Sequence, residues 1–155
     1  EGTDVASAMS TSNYATYGVL YNWPAVMTEG ICPSGWHIPS DGEWQTMEIS
    51  LGMSEADASD IGWRGSPVGD YMKSTSGWNN GGNGSNSSGF NGLPGGYRVS
   101  GGFGGFDSYG TNGYWWSASE SGAASWNRVL SASDVDVGRG DYFRLHGFSA
   151  RCVRD

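Results

Sequence analysis

The sequence predicts one loop-rich α+β domain in which two short helices pack on small antiparallel sheets. Three observations carry that expectation: a well-capped helix over residues 40–52, short aromatic-rich strands after residue 112, and a Gly/Asn/Ser-rich stretch between them. At 155 residues the chain has one-domain length, and folding buries roughly two thirds of the surface of such a chain. Apolar residues make up only 37% and glycines number 27, so aliphatic side chains alone would make a thin core. Eight Trp and eight Tyr compensate. Each large aromatic buries on the order of 150–250 Å², and a disordered chain would lack them.

In chain order, residues 1–16 are small and polar and read as a linker or frayed start, with the domain proper at 17–155. Tyr17–Trp23 is aromatic and β-prone and reads as a strand, and Pro24–Met27 as a helical turn. Cys32–Pro39 is a constrained turn. Ser40 and Glu43 then form a capping box, with Asp41 at the positive end of the helix dipole. Trp44, Met47 and Leu51 share one face of that helix, and Gly52 ends it. A second helix starts at Ser54, with Glu55 and Asp57 in its first turn. Residues 62–111 read mostly as loop, including 79–89, a glycine-dense turn at 101–106, and a stretch at 93–99 leading into a strand. Long loops inside a compact domain are functional or loosely ordered. Short strands at 113–119, 125–131, 134–138 and 147–153 complete the chain.

Eight basic against sixteen acidic residues give a net charge of −8, and Lys73 is the only lysine. Such a chain repels phosphate backbones and anionic lipid, which argues against nucleic acid and membrane surfaces as partners. No apolar run approaches the roughly eighteen residues of a membrane span. Glu1 follows no apolar leader, which reads as a mature fragment or an excised domain. Cys32 and Cys152 have no CxxC partner and no His at metal-ligand spacing, leaving two buried thiols or one disulfide. The glycine-rich, lysine-poor, acidic composition reads as exported and favours the disulfide. Closing a loop of about 120 residues stabilises by roughly 4–5 kcal/mol in the chain-entropy model.

The motifs that carry chemistry are sparse. Gly81–Gly84 and Gly101–Asp107 each resemble one turn of a calcium-binding β-helix repeat, but that architecture needs a stack, so both read as flexible turns. Neither ends in the Lys-Ser/Thr of a phosphate loop. Asp134, Asp136 and Asp141 cluster, yet Arg139 and Leu145 stand where an EF-hand needs Gly and Glu. A calcium held by loop carbonyls and one or two of these carboxylates is one reading; a solvated strand edge is the favoured one, and no other cofactor is expected. Arg139-Gly140-Asp141 spells the integrin tripeptide, a match too short to carry weight. His37 and His146 are the only histidines, and nothing in their spacing supports a triad, a metal cluster or a paired-carboxylate site.

Four ordered stretches carry a resemblance: 32–44 (CPSGWHIPSDGEW), 93–98 (LPGGYR), 113–120 (GYWWSASE) and 147–155 (GFSARCVRD). Together they resemble the Fibrobacter succinogenes major paralogous domain from Tyr17 to Asp155. That family is similar to the formylglycine-generating and sulfatase-modifying superfamily, which implies a variant of the C-type lectin fold and an exported, often surface-bound bacterial protein. The superfamily's enzymes use two nearby cysteines to bind copper and oxidise a substrate cysteine. Here Cys32 and Cys152 occupy the family's turn and last-strand positions, so the resemblance implies the fold and not the oxidase. The scaffold is also similar to the variable proteins of diversity-generating retroelements, whose altered positions precede a closing strand like 147–155. The residues that fill 129–146 here, Ser, Ala, Asp, Gly, Tyr, Phe, Arg, Leu and His among them, can all arise from an adenine-rich asparagine codon.

The expected function is therefore a non-catalytic, exported ligand-binding or adhesion domain that meets a protein or glycan on another cell surface. Its contacts are expected at Ser125, Asn127, Ser131, Ser133, Asp134, Asp136, Arg139, Asp141, Tyr142, Phe143, Arg144 and His146. Tyr142, Phe143, Arg144 and His146 are the expected anchors, because aromatics and Arg dominate binding hot spots; Trp126 and Arg128 are assigned to the frame. The alternatives are an oxidase relative, which needs two reactive thiols, and a passive module of a surface filament or multidomain protein.

Overall fold

The computed structural model describes residues 5–101 and 105–155. Two short helices come first, α1 (Val5–Met9) and α2 (Ser12–Tyr17). The strand expected over 17–23 does not form. Gly18 closes α2, and the Asn22 side chain accepts from the Ala25 N–H at 3.0 Å to cap α3 (Trp23–Val26). Pro24, which has no N–H to give a ladder, sits in the first turn of α3, so only Tyr21 makes a β-bridge, to Phe148. β1 (Trp36–His37) leads into α4 (Asp41–Ser50). The capping box is present: the Ser40 hydroxyl accepts from the Glu43 N–H, and the Glu43 carboxylate accepts from the Ser40 N–H at 2.8 Å. α5 (Glu55–Ser59), capped by Ser54, is followed by β2 (Gly62–Arg64), α6 (Val68–Met72) and a 3₁₀ turn at Asn79–Gly81.

The stretch 79–89 lacks core side chains but is tightly packed rather than a free turn. A Cβ on Gly84 would lie 2.3 Å from the Asp70 carbonyl oxygen, so only glycine lets the loop lie against α6. Of 93–99 only β3 (Tyr97–Arg98) is strand, pairing with β4 (Phe106–Asp107); the turn expected at 101–106 lies partly outside the described residues. β5 (Asn112–Ser121) and β6 (Ala124–Ser131) match expectation closely. β7 (Val137–Phe143) starts later and runs further than the expected 134–138, because the Asp134 carboxylate accepts from the Asp136 N–H and turns the chain there. The expected strand over 147–153 is reduced to single bridges from Gly147, Phe148 and Ser149, and then β8 (Val153–Arg154), which pairs with β1.

The central sheet is antiparallel, in the order β2-β7-β6-β5. Strand alternation sends the rings of Tyr114-Trp115-Trp116 to opposite faces, and all three are buried because both faces of β5 are covered. Trp115, Leu130 and Val137 meet Trp44, Met53, Val68 and Met72 on the helix face. Tyr114, Trp116 and Val129 meet Val26, Ile38 and Phe148 on the other.

A buried charge lattice ties the sheet to α4. Arg128, fully buried on β6, donates to Glu48 Oε1 at 2.6 Å and Asp41 Oδ1 at 2.7 Å. Arg64 reaches Glu48 Oε2 at 2.6 Å, and Arg139 reaches Asp41 Oδ2 at 2.7 Å with its guanidinium 3.9 Å from the Trp126 ring. Burial pushes the Asp41 carboxyl up, but the Arg139 hydrogen bonds and the Arg128 charge outweigh it and hold it below its ordinary range. Lys73, also buried, donates to the Ser131 and Asp134 carbonyls at 3.0 and 2.7 Å. The lone lysine is a structural tie.

Candidate ligand-binding surface

The two faces of the sheet are covered unequally. The helix face is closed over Trp115, Leu130 and Val137 by α4, α5 and α6. The opposite face is covered over β5 and β6 by Phe148 and the segment around α3, but at β7 and β2 it opens to solvent, where Trp63 is 47% and Tyr142 40% exposed.

At the boundary lies a nest of rings. Phe148, fully buried, stacks on Trp116 at 4.2 Å between centroids and on Tyr114 at 5.0 Å, and meets Tyr142 edge-on at 5.5 Å. Tyr97 packs on Tyr114 at 5.0 Å, and His146 touches Tyr97, Tyr142 and Phe148. Such offset and edge contacts suit the ring quadrupoles and fix the nest rigidly. Burial pushes the Tyr114 hydroxyl up to about 12, reinforced by Tyr142 and Tyr97, and burial with Asp107 and Tyr142 raises Tyr97. Both hydroxyls stay protonated at neutral pH. The Ser100 N–H donates to His146 Nδ1 at 3.2 Å, which makes that nitrogen an acceptor.

Beyond the nest the chain is bare: Phe143 is 71% and Leu145 66% exposed. Arg144 between them does not project freely. It donates to the Ala124 and Gly122 carbonyls at 3.0–3.2 Å, pairs with Glu120 at 3.2 Å, and lies 4.4 Å from the Trp23 ring. Arg144 braces the turn that presents its neighbours.

The twelve expected contact residues therefore divide. Tyr142, Phe143 and His146 gather at the open edge with Arg144 behind them, and Asp141 is exposed with its carboxylate accepting from the Ser121 hydroxyl at 2.7 Å. Ser133 and Asp136, at the far end of β7, reach solvent; Asp134 lies beside them with its carbonyl held by Lys73. Ser125, Asn127, Ser131 and Arg139 are buried and do not face a ligand. The first three point inward by strand alternation, and Arg139 is consumed by Asp41. The Arg139-Gly140-Asp141 tripeptide thus lies within a strand with its arginine locked in the frame. Sequence reasoning missed Trp63, Tyr97, Tyr114 and Phe148, whose roles depend on pairings distant in the chain. It placed Trp126 and Arg128 in the frame, where Arg128 indeed lies.

Cys32 and Cys152 are joined by a disulfide that spans 120 residues. Beside it, a cleft of about 350 Å³ opens between α3 and β1, walled by Val26, Ile31, Trp36 and Ile38. At its mouth the His37 imidazole contacts Asp155 at 2.5 Å and Glu43 at 2.8 Å; these hydrogen bonds, Asp155 first, raise its pKa above the ordinary 6.5. Among the described residues no group of three or more His, Cys, Asp or Glu side chains is placed to hold a metal ion, and Asp134, Asp136 and Asp141 do not converge. No described helix is long and apolar enough to cross a membrane.

Comparison with known proteins gives one match. The family model of the Fibrobacter succinogenes major domain matches residues 1–154, taking in the segment before Tyr17, and the chain belongs to that bacterial family. No curated protein and no solved structure matches.

Proposed function

We propose that this member of the Fibrobacter succinogenes major domain family is an exported, non-catalytic binding or adhesion module. On this reading the fold is a C-type lectin-like variant, and the ligand is a protein or glycan on another cell surface. The observation that carries the reading is the exposed apolar edge made by Tyr142, Phe143 and Leu145 on a frame whose arginines are already committed. Isolated exposed apolar residues need no explanation, whereas several together on a braced turn mark an interaction site. The joined cysteines speak against a relative of the sulfatase-modifying oxidases, since that chemistry needs both thiols free. The net charge of −8 disfavours nucleic acid.

The same edge suits diversification, because its side chains tolerate exchange without disturbing the core. If the segment is varied by a retroelement, the downstream DNA carries a near-copy of codons 115–155 that differs at adenines, beside a reverse-transcriptase gene. Sequencing that locus tests this part alone.

The direct test of binding replaces Tyr142, Phe143 and Leu145 together by Ala and probes a surface array of glycans and bacterial-surface proteins. Captured ligand should be lost while the unfolding midpoint stays within a few degrees of the parent. Capture unchanged by the triple variant would remove this edge as the site.

A further inference from the structure

β7 carries two interior glycines, Gly138 and Gly140, on the same face as Tyr142. Glycine inside a strand costs about 0.5–1 kcal/mol relative to Ala, and where it persists it marks a bulge or a close approach by something else. Gly138 has its reason within the chain: it opposes Trp63 on β2, and a Cβ there would lie 3.3 Å from the indole. Gly140 has none. A Cβ on it would meet no atom within 4 Å, and its φ lies outside the left-handed range that favours glycine. The bare backbone at Gly140 is flanked along the strand by the exposed rings of Trp63, over Gly138, and Tyr142. From Gly138 to Tyr142 is about 13 Å at about 3.3 Å per residue.

We infer that this trough seats a neutral sugar ring, its C–H face on Tyr142 or Trp63 and its edge over Gly140. The inference rests on the reading of this edge as a binding surface and names its ligand class. The chemistry selects that class in three ways. The walls are ring faces, whose negative quadrupole attracts the weakly positive C–H groups of a pyranose. The pairing of β2 with β7 ends at Gly62 opposite Arg139, so beyond that point β7 has a strand neighbour on one side only and turns backbone N–H and C=O groups outward for hydroxyls. Among the described residues, the charged side chains of β7 and its turn are turned away or committed: Asp141 alternates to the other face, Arg139 is locked to Asp41, Arg144 is braced on the Ala124 carbonyl, and the net charge of −8 repels anions. On the same face, the amide of Asn127, the cross-strand partner of Gly140 on β6, donates to the Gly140 carbonyl at 3.1 Å and holds the floor still.

The test uses soluble gluco-, xylo-, manno- and galacto-oligosaccharides as probes, read by saturation-transfer NMR and titration calorimetry on the parent, Gly140→Val, Gly140→Ala, Trp63→Ala, Tyr142→Ala and Phe143→Ala. Expected is binding of at least one neutral oligosaccharide by the parent, weakened at least about ten-fold in Gly140→Val, the scale of one lost ring contact, with an unfolding midpoint equal to or above the parent's. Gly140→Ala should fold as well and bind less tightly than the parent. Trp63→Ala or Tyr142→Ala should also weaken binding, and Phe143→Ala, at the neighbouring end of the edge, should weaken it less than either. Sugar binding that survives both Gly140 variants overturns the trough. Capture of a protein from the array, lost in the Tyr142/Phe143/Leu145 variant, with no oligosaccharide bound, overturns the sugar class and leaves the binding edge standing. Capture of nothing on either assay defeats both.

Discussion

The two halves of β7 are built to opposite ends. Val137–Arg139 lies between β2 and β6, and its side chains are buried in the apolar core or locked to Asp41. Gly140–Phe143 has β6 on one side only and ends in rings that face water. Phe143, 71% exposed, stands four positions along the strand from Arg139, whose replacement breaks the lattice. The lesson is that hydrogen bonds and ion pairs committed upstream set what is free to vary downstream. Arg139 and Arg144 look alike in the sequence; one is frame and the other brace.

The largest break in that comparison comes from the lattice. Arg128→Ala or Glu48→Ala strands a buried charge and should cost about 3–5 kcal/mol, enough to unfold a marginal domain, whereas Phe143→Ala should stay within about 0.5 kcal/mol. Urea unfolding of the three variants side by side measures the gap. Next in size is the disulfide that ties β1's turn to the last strand. Reduction should remove roughly 4 kcal/mol and lower the melting temperature by about 8–16 °C, at about 2–4 °C per kcal/mol for a chain of this length. A melting curve indifferent to reductant would mean the bond contributes nothing.

How much of this was legible follows the range of the interactions involved. The α4 capping box, the Ser54 helix and the aromatic hairpin β5–β6 are local, set by spacings of three or four residues and by alternation, and they stand where the sequence puts them. The strand expected over Tyr17–Trp23 failed because aromatic residues serve a strand and a capped helix start equally well, and Asn22 with Pro24 decided for the helix. Within the expected contact set, polarity misled. Asn127 and Arg139 are polar and buried, since their partners come from β7 and α4 and no local pattern reports them. The exposed anchors Tyr142 and Phe143 were legible as rings in a polar run; the cover that Phe148 gives Tyr142 was not.

A smaller effect separates the disulfide-side cleft from the binding edge. His37 has its pKa raised by Asp155 and then Glu43, so the folded state favours the imidazolium. That contribution is complete below the unfolded pKa of about 6.5 and fades as pH rises through the higher folded value. The melting temperature of the parent relative to His37→Gln should therefore fall from pH 6 upward, while ligand capture at Tyr142 and Phe143 stays the same in both. A parallel pair of melting curves across that window would show the three-residue contact to be inert. The smallest expected change is a gain: Gly140→Ala fills empty space in an ordinary strand conformation and should stabilise by about 0.4–1 kcal/mol, read from the urea midpoint.

The division between frame and display is tested most directly by one positional scan. Every residue from 124 to 146 is replaced in turn, the variants are displayed on cells, and resistance to protease is scored without reference to any ligand. The account predicts intolerance at Asn127, Arg128, Leu130, Val137 and Arg139, an intermediate result at Arg144, and near-free exchange at Asp141, Phe143 and Leu145. Uniform tolerance across the segment, or loss of resistance concentrated at 141–145, would contradict it.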